Sequence, residues 1–139
     1  MKIDDEAIIK PCFEYNFSKT GYHIVTFLMD NNLESFAYMI KDMINMTSIS
    51  YTNKMNSHNI KNMEFMFNNY PSLKMVDLSG FNTKNVLNME YMFDYCYYLE
   101  SIKLSSFNTK NVKNMRHMFA NCVNLKSIDV SSFDTKNVI

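Results

Sequence analysis

The apolar residues of this chain recur at an interval of 26 residues. Segments 92–112 and 118–138 read MFDYCYYLESIKLSSFNTKNV and MFANCVNLKSIDVSSFDTKNV, and the same frame extends backward through Met66 and Met39. The frame divides residues 33–139 into about four units, at 33–59, 60–85, 86–111 and 112–137. Repeats of about 20 to 50 residues are typical of stacked architectures, in which each unit buries its apolar face against the next.

Within one unit the apolar spacing changes, and the change predicts two kinds of element. Five apolar residues of the third unit fall at steps of three, three, one and three: Val86, Met89, Met92, Phe93 and Cys96. This is the spacing of one helical face. Ile102 and Leu104 then alternate with polar residues, as in a short strand with one buried side. One helix and one parallel strand per unit predict a right-handed α/β solenoid.

Residues 1–32 lack the repeat. Two apolar runs, 8–17 and 22–29, flank Ser18-Lys19-Thr20-Gly21, which predicts a β-hairpin closed by a glycine-containing turn. We interpret this segment as an amino-terminal cap, because a terminal unit would otherwise expose an apolar face and a strand edge. The sequence stops one residue into the next predicted helix. We therefore expect either a longer natural protein or self-association through this end.

Charge and hydropathy narrow the choice of partners. The chain has 14 basic and 14 acidic residues without long blocks, which argues against nucleic acid and anionic membranes as partners. No window approaches the roughly 20 apolar residues of a membrane helix, so membrane insertion is not expected. Asp4, Asp5 and Glu6 stand where a secretory signal would be basic and then apolar.

Neither the cysteines nor the histidines form a recognisable chemical site. Cys96 and Cys122 occupy the same position of consecutive units, so a disulfide or a two-thiolate metal site is conceivable. The equivalent earlier positions are Tyr70 and Met43, however, and we favour reduced, buried thiols there and at Cys12. The three histidines have no regular spacing from a nucleophile or carboxylate: His23, His58 and His117. Thirteen methionines in register with the repeat indicate packing. We therefore expect no enzyme, metal or cofactor.

The string LxSIxLSSFNTKNVxNMxxMFxxC, at residues 99–122, resembles the leucine-rich repeat of the BspA-like surface protein family. The resemblance covers residues 33–139. It implies a leucine-rich-repeat solenoid on the cell surface or secreted, associated with adhesion to host or matrix proteins and with cell contact. Two features depart from the family: a phenylalanine column, Phe81, Phe107 and Phe133, replaces the usual polar ladder, and no export signal is visible. A cytoplasmic location is therefore the alternative.

Two groups of residues are candidates for partner binding. The first is the outward face of the strands, with residues aligned unit by unit: Met75, Asp77, Ser79, Ser101, Lys103, Ser105, Ser127, Asp129 and Ser131. In this face Asp77, Lys103 and Asp129 form an alternating-charge row about 4.8 Å apart, which is either a stabilising ladder or a recognition strip. The second is an aromatic group around Tyr95, of which three members depart from the repeat's polar residues: Tyr91, Tyr97 and Tyr98.

Together these features predict a non-enzymatic binding module. It would recognise a protein or glycoprotein through the strand face, in surface adhesion or cell contact. The alternative is a structural protein that assembles with copies of itself through its carboxyl-terminal end.

Overall fold

Three short strands from consecutive repeat units form a parallel sheet. The structure, a computed structural model, describes residues 2–3, 25–26, 33–39, 45–50 and 57–139. Strands β3 (Ser48–Ser50), β4 (Met75–Asp77) and β5 (Ser101–Lys103) pair in the order β3-β4-β5. The register joins Ile49 to Val76 and Val76 to Ile102. Equivalent residues of successive units therefore lie side by side, and we call such a set a column.

The part of the chain preceding the repeat contributes two very short strands. Strand β1 (Lys2–Ile3) pairs antiparallel with β2 (Val25–Thr26), joining Lys2 to Thr26 and Ile3 to Val25. The predicted hairpin turn at 18–21 lies outside the described residues, as do Cys12 and His23.

The segment predicted to be helical is a series of turns. In the third unit, amides bond carbonyls three residues earlier, as from Met92 to Met89 and from Cys96 to Phe93. Alternate amides instead bond the next unit, as from Tyr91 to Arg116 at 2.9 Å. Tyr91 and Tyr95 have φ of 53° and 60°, the left-handed region that a right-handed helix excludes.

The turns explain why the sequence pattern indicated a helix. Consecutive three-residue turns place an apolar side chain inward at steps of three, which resembles one face of a helix over a short segment. The predicted α/β leucine-rich-repeat solenoid is therefore wrong. Within 33–39, 45–50 and 57–139 the structure has three short parallel strands in an open sheet and no helices. No helix of the described residues is long and apolar enough to span a membrane.

The core consists of apolar columns. Met63 and Met89 are fully buried, and so are Leu73 and Leu99 in the column before the strands. The rings of Phe67, Phe93 and Phe119 stack at centroid distances of 5.2 and 5.6 Å. Each fully buried side chain of this size contributes about 1.5 to 3 kcal/mol. The core thins in the fourth unit, where six apolar residues are only partly buried: Met115, Phe119, Cys122, Leu125, Ile128 and Phe133.

A hydroxyl column holds the turn that follows the strands. The hydroxyl of Thr83 donates to the carbonyl of Asn108 at 3.1 Å and accepts the amide of Asn108 at 2.8 Å. Thr109 makes the same pair of hydrogen bonds with Asp134, at 3.0 and 2.7 Å. Both threonines are fully buried, so these bonds satisfy polar groups that would otherwise be costly to bury.

Candidate functional site

The outward face of β4 and β5 carries a close ion pair. The register places Met75 beside Ser101 and Asp77 beside Lys103. The Lys103 Nζ lies 2.8 Å from the Asp77 Oδ2, and the hydroxyl of Ser79 donates to Asp77 Oδ1 at 2.6 Å. These hydrogen bonds, from Lys103 first and Ser79 second, lower the pKa of Asp77 to about 2. Asp77 is therefore ionised over the whole physiological range.

The predicted charge row does not continue to the fourth unit, because Lys103 and Asp129 form no second ion pair. Asp129 Oδ1 accepts the amide of Ser131 at 2.9 Å, and this local bond lowers the pKa of Asp129. Within the described residues Lys103 pairs with Asp77 alone. Ser127 and Asp129 are exposed in a segment that forms no strand, and Ser105 and Ser131 are exposed in the turns that follow. The row is thus a two-member ladder with a separate carboxylate beyond it.

Tyr91 belongs to a stacked column and does not lie with the other candidate tyrosines. Its ring stacks on Phe65 at 4.9 Å and on His117 at 5.0 Å, and Phe65 stacks on Tyr38 at 4.8 Å. All four members of this aromatic ladder have positive φ, from 53° to 55°. Both faces of the Tyr91 ring are covered, so its role in the structure is to bridge consecutive units.

Tyr97 and Tyr98 lie on an exposed turn that leads into β5. Tyr98 is 57% exposed and Tyr97 is 38% exposed. Tyr95 is 44% exposed and meets Tyr97 edge to face at 5.7 Å. In the next unit Val123, equivalent to Tyr97, is 73% exposed, and Asn124 Nδ2 donates to the Tyr97 carbonyl at 2.6 Å. We call Tyr95, Tyr97, Tyr98 and Val123 the tyrosine turn.

Sequence analysis placed Tyr95 in the aromatic group without selecting it as a binding candidate, and it missed Val123. Tyr95 was not selected as a departure from the repeat, although Asn69 and Asn121 fill the same column. All three have positive φ, and asparagine tolerates this conformation better than tyrosine does. A bulky residue where the column has asparagine was the available signal. For Val123 the available signal was its equivalence to Tyr97, which had already been selected as a candidate.

The thiols are parts of the packed column. Cys96 is fully buried, and its Sγ donates to the carbonyl of Phe67 at 3.1 Å. Cys122 is half-buried and donates to Phe93 at the same distance. Burial raises the pKa of Cys96 to about 12 and that of Cys122 to about 11. Both thiols are free. No group of three or more potential metal ligands occurs in the described residues.

Comparisons with known proteins place the repeat segment in one family. A family model described as "Mycoplasma protein of unknown function, DUF285" matches residues 32–139. No curated protein matches the chain, and no solved structure matches it. The interpretation as a BspA-like leucine-rich-repeat protein is therefore wrong. Adhesion and surface location, which that resemblance implied, stay predictions, as does self-association.

Proposed function

We propose that this chain, which belongs to the DUF285 family of Mycoplasma proteins of unknown function, is a non-enzymatic protein-binding module. The observation that carries the proposal is the tyrosine turn. Three tyrosines are exposed in the turn before β5, and Val123 is exposed at the position equivalent to Tyr97 in the next unit, whereas the core buries most other large apolar residues of the third unit. Tyrosine offers a large contact area with one apolar body and one polar tip, and it is enriched at protein interfaces.

The outward strand face extends this surface. Ser101 and Lys103 follow the tyrosine turn along β5, and Met75, which is 53% exposed, lies beside Ser101. Such a surface combines an apolar centre with a polar margin, which is the common anatomy of a protein interface. The Asp77–Lys103 ion pair is exposed, so we assign it an orienting role at the margin and little binding energy.

The titrating groups support a non-catalytic role. Among the described residues, the carboxylates with shifted pKa are held more strongly ionised, and the thiols are held more strongly protonated. A general base works best with a pKa near the working pH, and a nucleophilic cysteine needs a lowered pKa. The pKa values of these carboxylates are shifted away from neutral pH, and those of the thiols are raised and not lowered. Both shifts are opposite to what a general base or a nucleophilic cysteine requires.

The test begins by placing a photo-crosslinking amino acid at position 98 and, as a control, at position 87. Leu87 is 40% exposed but lies in another column, outside the tyrosine turn. A partner is accepted only if it crosslinks at position 98 and not at position 87. Its affinity is then measured for the wild-type chain, for Y97S/Y98S and for L87S.

The two tyrosine substitutions are expected to weaken binding by about 2 kcal/mol, or roughly 30-fold, as for an interface hot spot. L87S should leave the affinity within about twofold of wild type, since single exposed apolar side chains are commonly neutral. Equal crosslinking at both positions, or an affinity that Y97S/Y98S leaves unchanged in a folded protein, would remove the proposal.

A further inference from the structure

A row of lysines lies directly after Thr83, Thr109 and Thr135, one lysine in each of the last three units. Lys84, Lys110 and Lys136 occupy one column, and all three are exposed. Two hydrogen bonds establish that their turns are adjacent: Asn111 Nδ2 donates to the Lys84 carbonyl at 2.8 Å, and Asn137 Nδ2 donates to the Lys110 carbonyl at 2.7 Å. We call these three residues the lysine row.

The lysine row differs from the other charged columns. Four columns carry a charged side chain in each of the last three units. Three of them mix signs: Glu64, Glu90 and Arg116; Lys74, Glu100 and Lys126; Asp77, Lys103 and Asp129. Mixed signs attract across neighbouring units, as the Asp77–Lys103 pair does. Only the lysine row places three like charges in succession, which is repulsive.

Few negative charges of the described residues lie near the lysine row. None of the three ammonium groups forms an ion pair with a carboxylate of the described residues. The column two positions before the lysines is neutral at Asn82 and Asn108 and has one carboxylate, Asp134, whose Oδ1 accepts the Lys136 amide at 3.1 Å. Repulsion without a local partner indicates that these positive charges are available to an external anion.

The backbone of the row is fixed on both sides. The amide of Lys84 donates to Asn82 Oδ1 and the amide of Lys110 to Asn108 Oδ1, each at 3.1 Å. The carbonyls of the same two lysines accept the asparagine amides of the following unit. The Lys136 backbone is held through its amide, which donates to Asp134 Oδ1. Because these bonds fix the backbone, binding an anion mainly orders the three side-chain stems.

We propose that the lysine row binds an acidic peptide segment in an extended conformation. Units are about 5 Å apart, as the ring distances of 4.9 and 5.0 Å in the aromatic ladder indicate. The row is thus about 10 Å long and one residue wide. An extended peptide advances about 3.3 Å per residue and presents same-side carboxylates about 6.6 Å apart. The flexible four-carbon stems of lysine accommodate this small difference in spacing.

Three features favour an acidic peptide over other anions. A flat anionic membrane would meet one line of charge and not a basic patch. The row lacks arginine, the residue preferred for bidentate phosphate contacts. Its two flanking columns contain only threonine and only asparagine over the last three units, so they provide no aromatic platform for stacked bases. A sulfated polysaccharide shares the required linear charge and is the competing ligand in the test.

The test measures binding of a fluorescent oligoglutamate peptide by anisotropy at low ionic strength. The row variant is K84Q/K110Q/K136Q, and the matched control is K74Q/K113Q/K126Q, which removes the same charge from three exposed lysines elsewhere. The row variant should bind roughly 3- to 150-fold more weakly than wild type, given the strength of three exposed ion pairs. The control should lose less than about twofold, and K84R/K110R/K136R should bind like wild type, because the charges remain.

Three results would overturn the proposal. One is an equal loss in both glutamine variants, which would mean that net charge alone attracts the peptide. Another is heparin binding through the row without oligoglutamate binding, which would assign the row to a sulfated polysaccharide. The third is oligoglutamate binding that the row variant leaves unchanged while it stays folded. The variant Y97S/Y98S should bind oligoglutamate like wild type, so the lysine row and the tyrosine turn are tested separately.

Discussion

Lys103 reaches across from β5 to place its Nζ 2.8 Å from the carboxylate of Asp77 on β4. The contact joins two residues 26 positions apart in sequence and in the same column. It is the principal cause of the low pKa of Asp77, and it makes that carboxylate a probe for the alignment of the two units.

Replacing Lys103 by glutamine should raise the pKa of Asp77 from about 2 toward its ordinary value of 3.8. The main hydrogen bond that favours the ionised form would lose its charge, whereas the bonds from Ser79 would remain. NMR titration of the side-chain carboxyl measures the shift. Asp129 is the internal control, because Ser131 causes its lowered pKa. A pKa of Asp77 that stays near 2 in K103Q would contradict the ion pair.

The same shift gives a pH dependence of stability. Because the folded-state pKa of Asp77 lies below the unfolded value, its contribution is fully present above about pH 3.8 and is lost as the pH falls toward 2. D77N should remove this part of the acid-induced loss. Chemical denaturation of D77N and wild type at pH 2.5 and pH 6 measures the difference, which should be small for an exposed carboxylate.

Positive φ in the turns should make some positions intolerant of branched side chains. Asn69 has φ of 61° and an exposed side chain. N69V should lower the free energy of unfolding by about 1 to 2 kcal/mol, because a left-handed conformation brings Cβ close to the following carbonyl. N69G should be neutral or slightly stabilising, since glycine adopts this φ without strain. Equal stability of the two variants in urea denaturation would mean that position 69 is not left-handed.

Among the stacked rings of Phe67, Phe93 and Phe119, removal of the middle ring should destabilise the protein most. Phe93 is fully buried between Phe67 and Phe119, so F93A should lower the free energy of unfolding by about 3 to 5 kcal/mol. Phe119 is half-buried and stacks on Phe93 on one side, and F119A should cost less. Urea denaturation gives both values. A larger loss for F119A than for F93A would contradict the packing order.

The thiols should be slow to alkylate in the folded protein. With pKa values of about 12 and 11, Cys96 and Cys122 have almost no thiolate at pH 8, and Cys96 is also inaccessible. Iodoacetamide should label Cys122 before Cys96, and both more slowly than after unfolding in urea. Mass spectrometry of peptides from timed samples resolves the two sites. Faster labelling of Cys96 than of Cys122 would contradict the order of burial.

The raised thiol pKa values also predict alkaline sensitivity. In the unfolded chain a cysteine ionises near pH 8.5, whereas the folded thiols stay protonated well above this value. Their contribution to stability is therefore complete below about pH 8.5 and falls as the pH rises toward 11. C96A should reduce this alkaline slope, although it lowers stability at every pH. Denaturation midpoints measured from pH 7 to pH 10 compare the two slopes.

The sequence pattern located the core more successfully than it identified the elements. Val86, Met89 and Met92 are fully buried, as their spacing predicted. The spacing could not distinguish a helix from a series of three-residue turns that includes residues with positive φ, because both place every third or fourth side chain inward. Positive φ at Tyr91 has no sequence signal, because its column contains Phe65 and His117, whereas Asn69 and Asn121 indicate it for the column of Tyr95.

The candidate surfaces were predicted in part. Aligning the units correctly paired Asp77 with Lys103, but it could not exclude Asp129, whose carboxylate turns to its own loop through Ser131. Tyr91 was grouped with Tyr97 and Tyr98 by neighbourhood in the sequence, whereas the fold covers both of its faces. The lysine row was missed because the units were compared only along the strands, whereas the three lysines lie in the turns that follow, 26 residues apart. The same comparison applied to the turns would have found it.

The hydrogen bonds between the turns of neighbouring units determine how the chain can fold. The bonds from Met63 to Asn88 and from Met89 to Asn114 each join residues 25 positions apart, so an isolated unit cannot complete its own hydrogen bonding. The first step of folding must therefore close a loop of about 25 residues before any hydrogen bonds between units exist. Loop closure is entropically costly. Growth is then expected to advance one unit at a time on a formed neighbour. We therefore expect a lag before cooperative folding. A destabilised central unit should also prevent the units that follow it from folding.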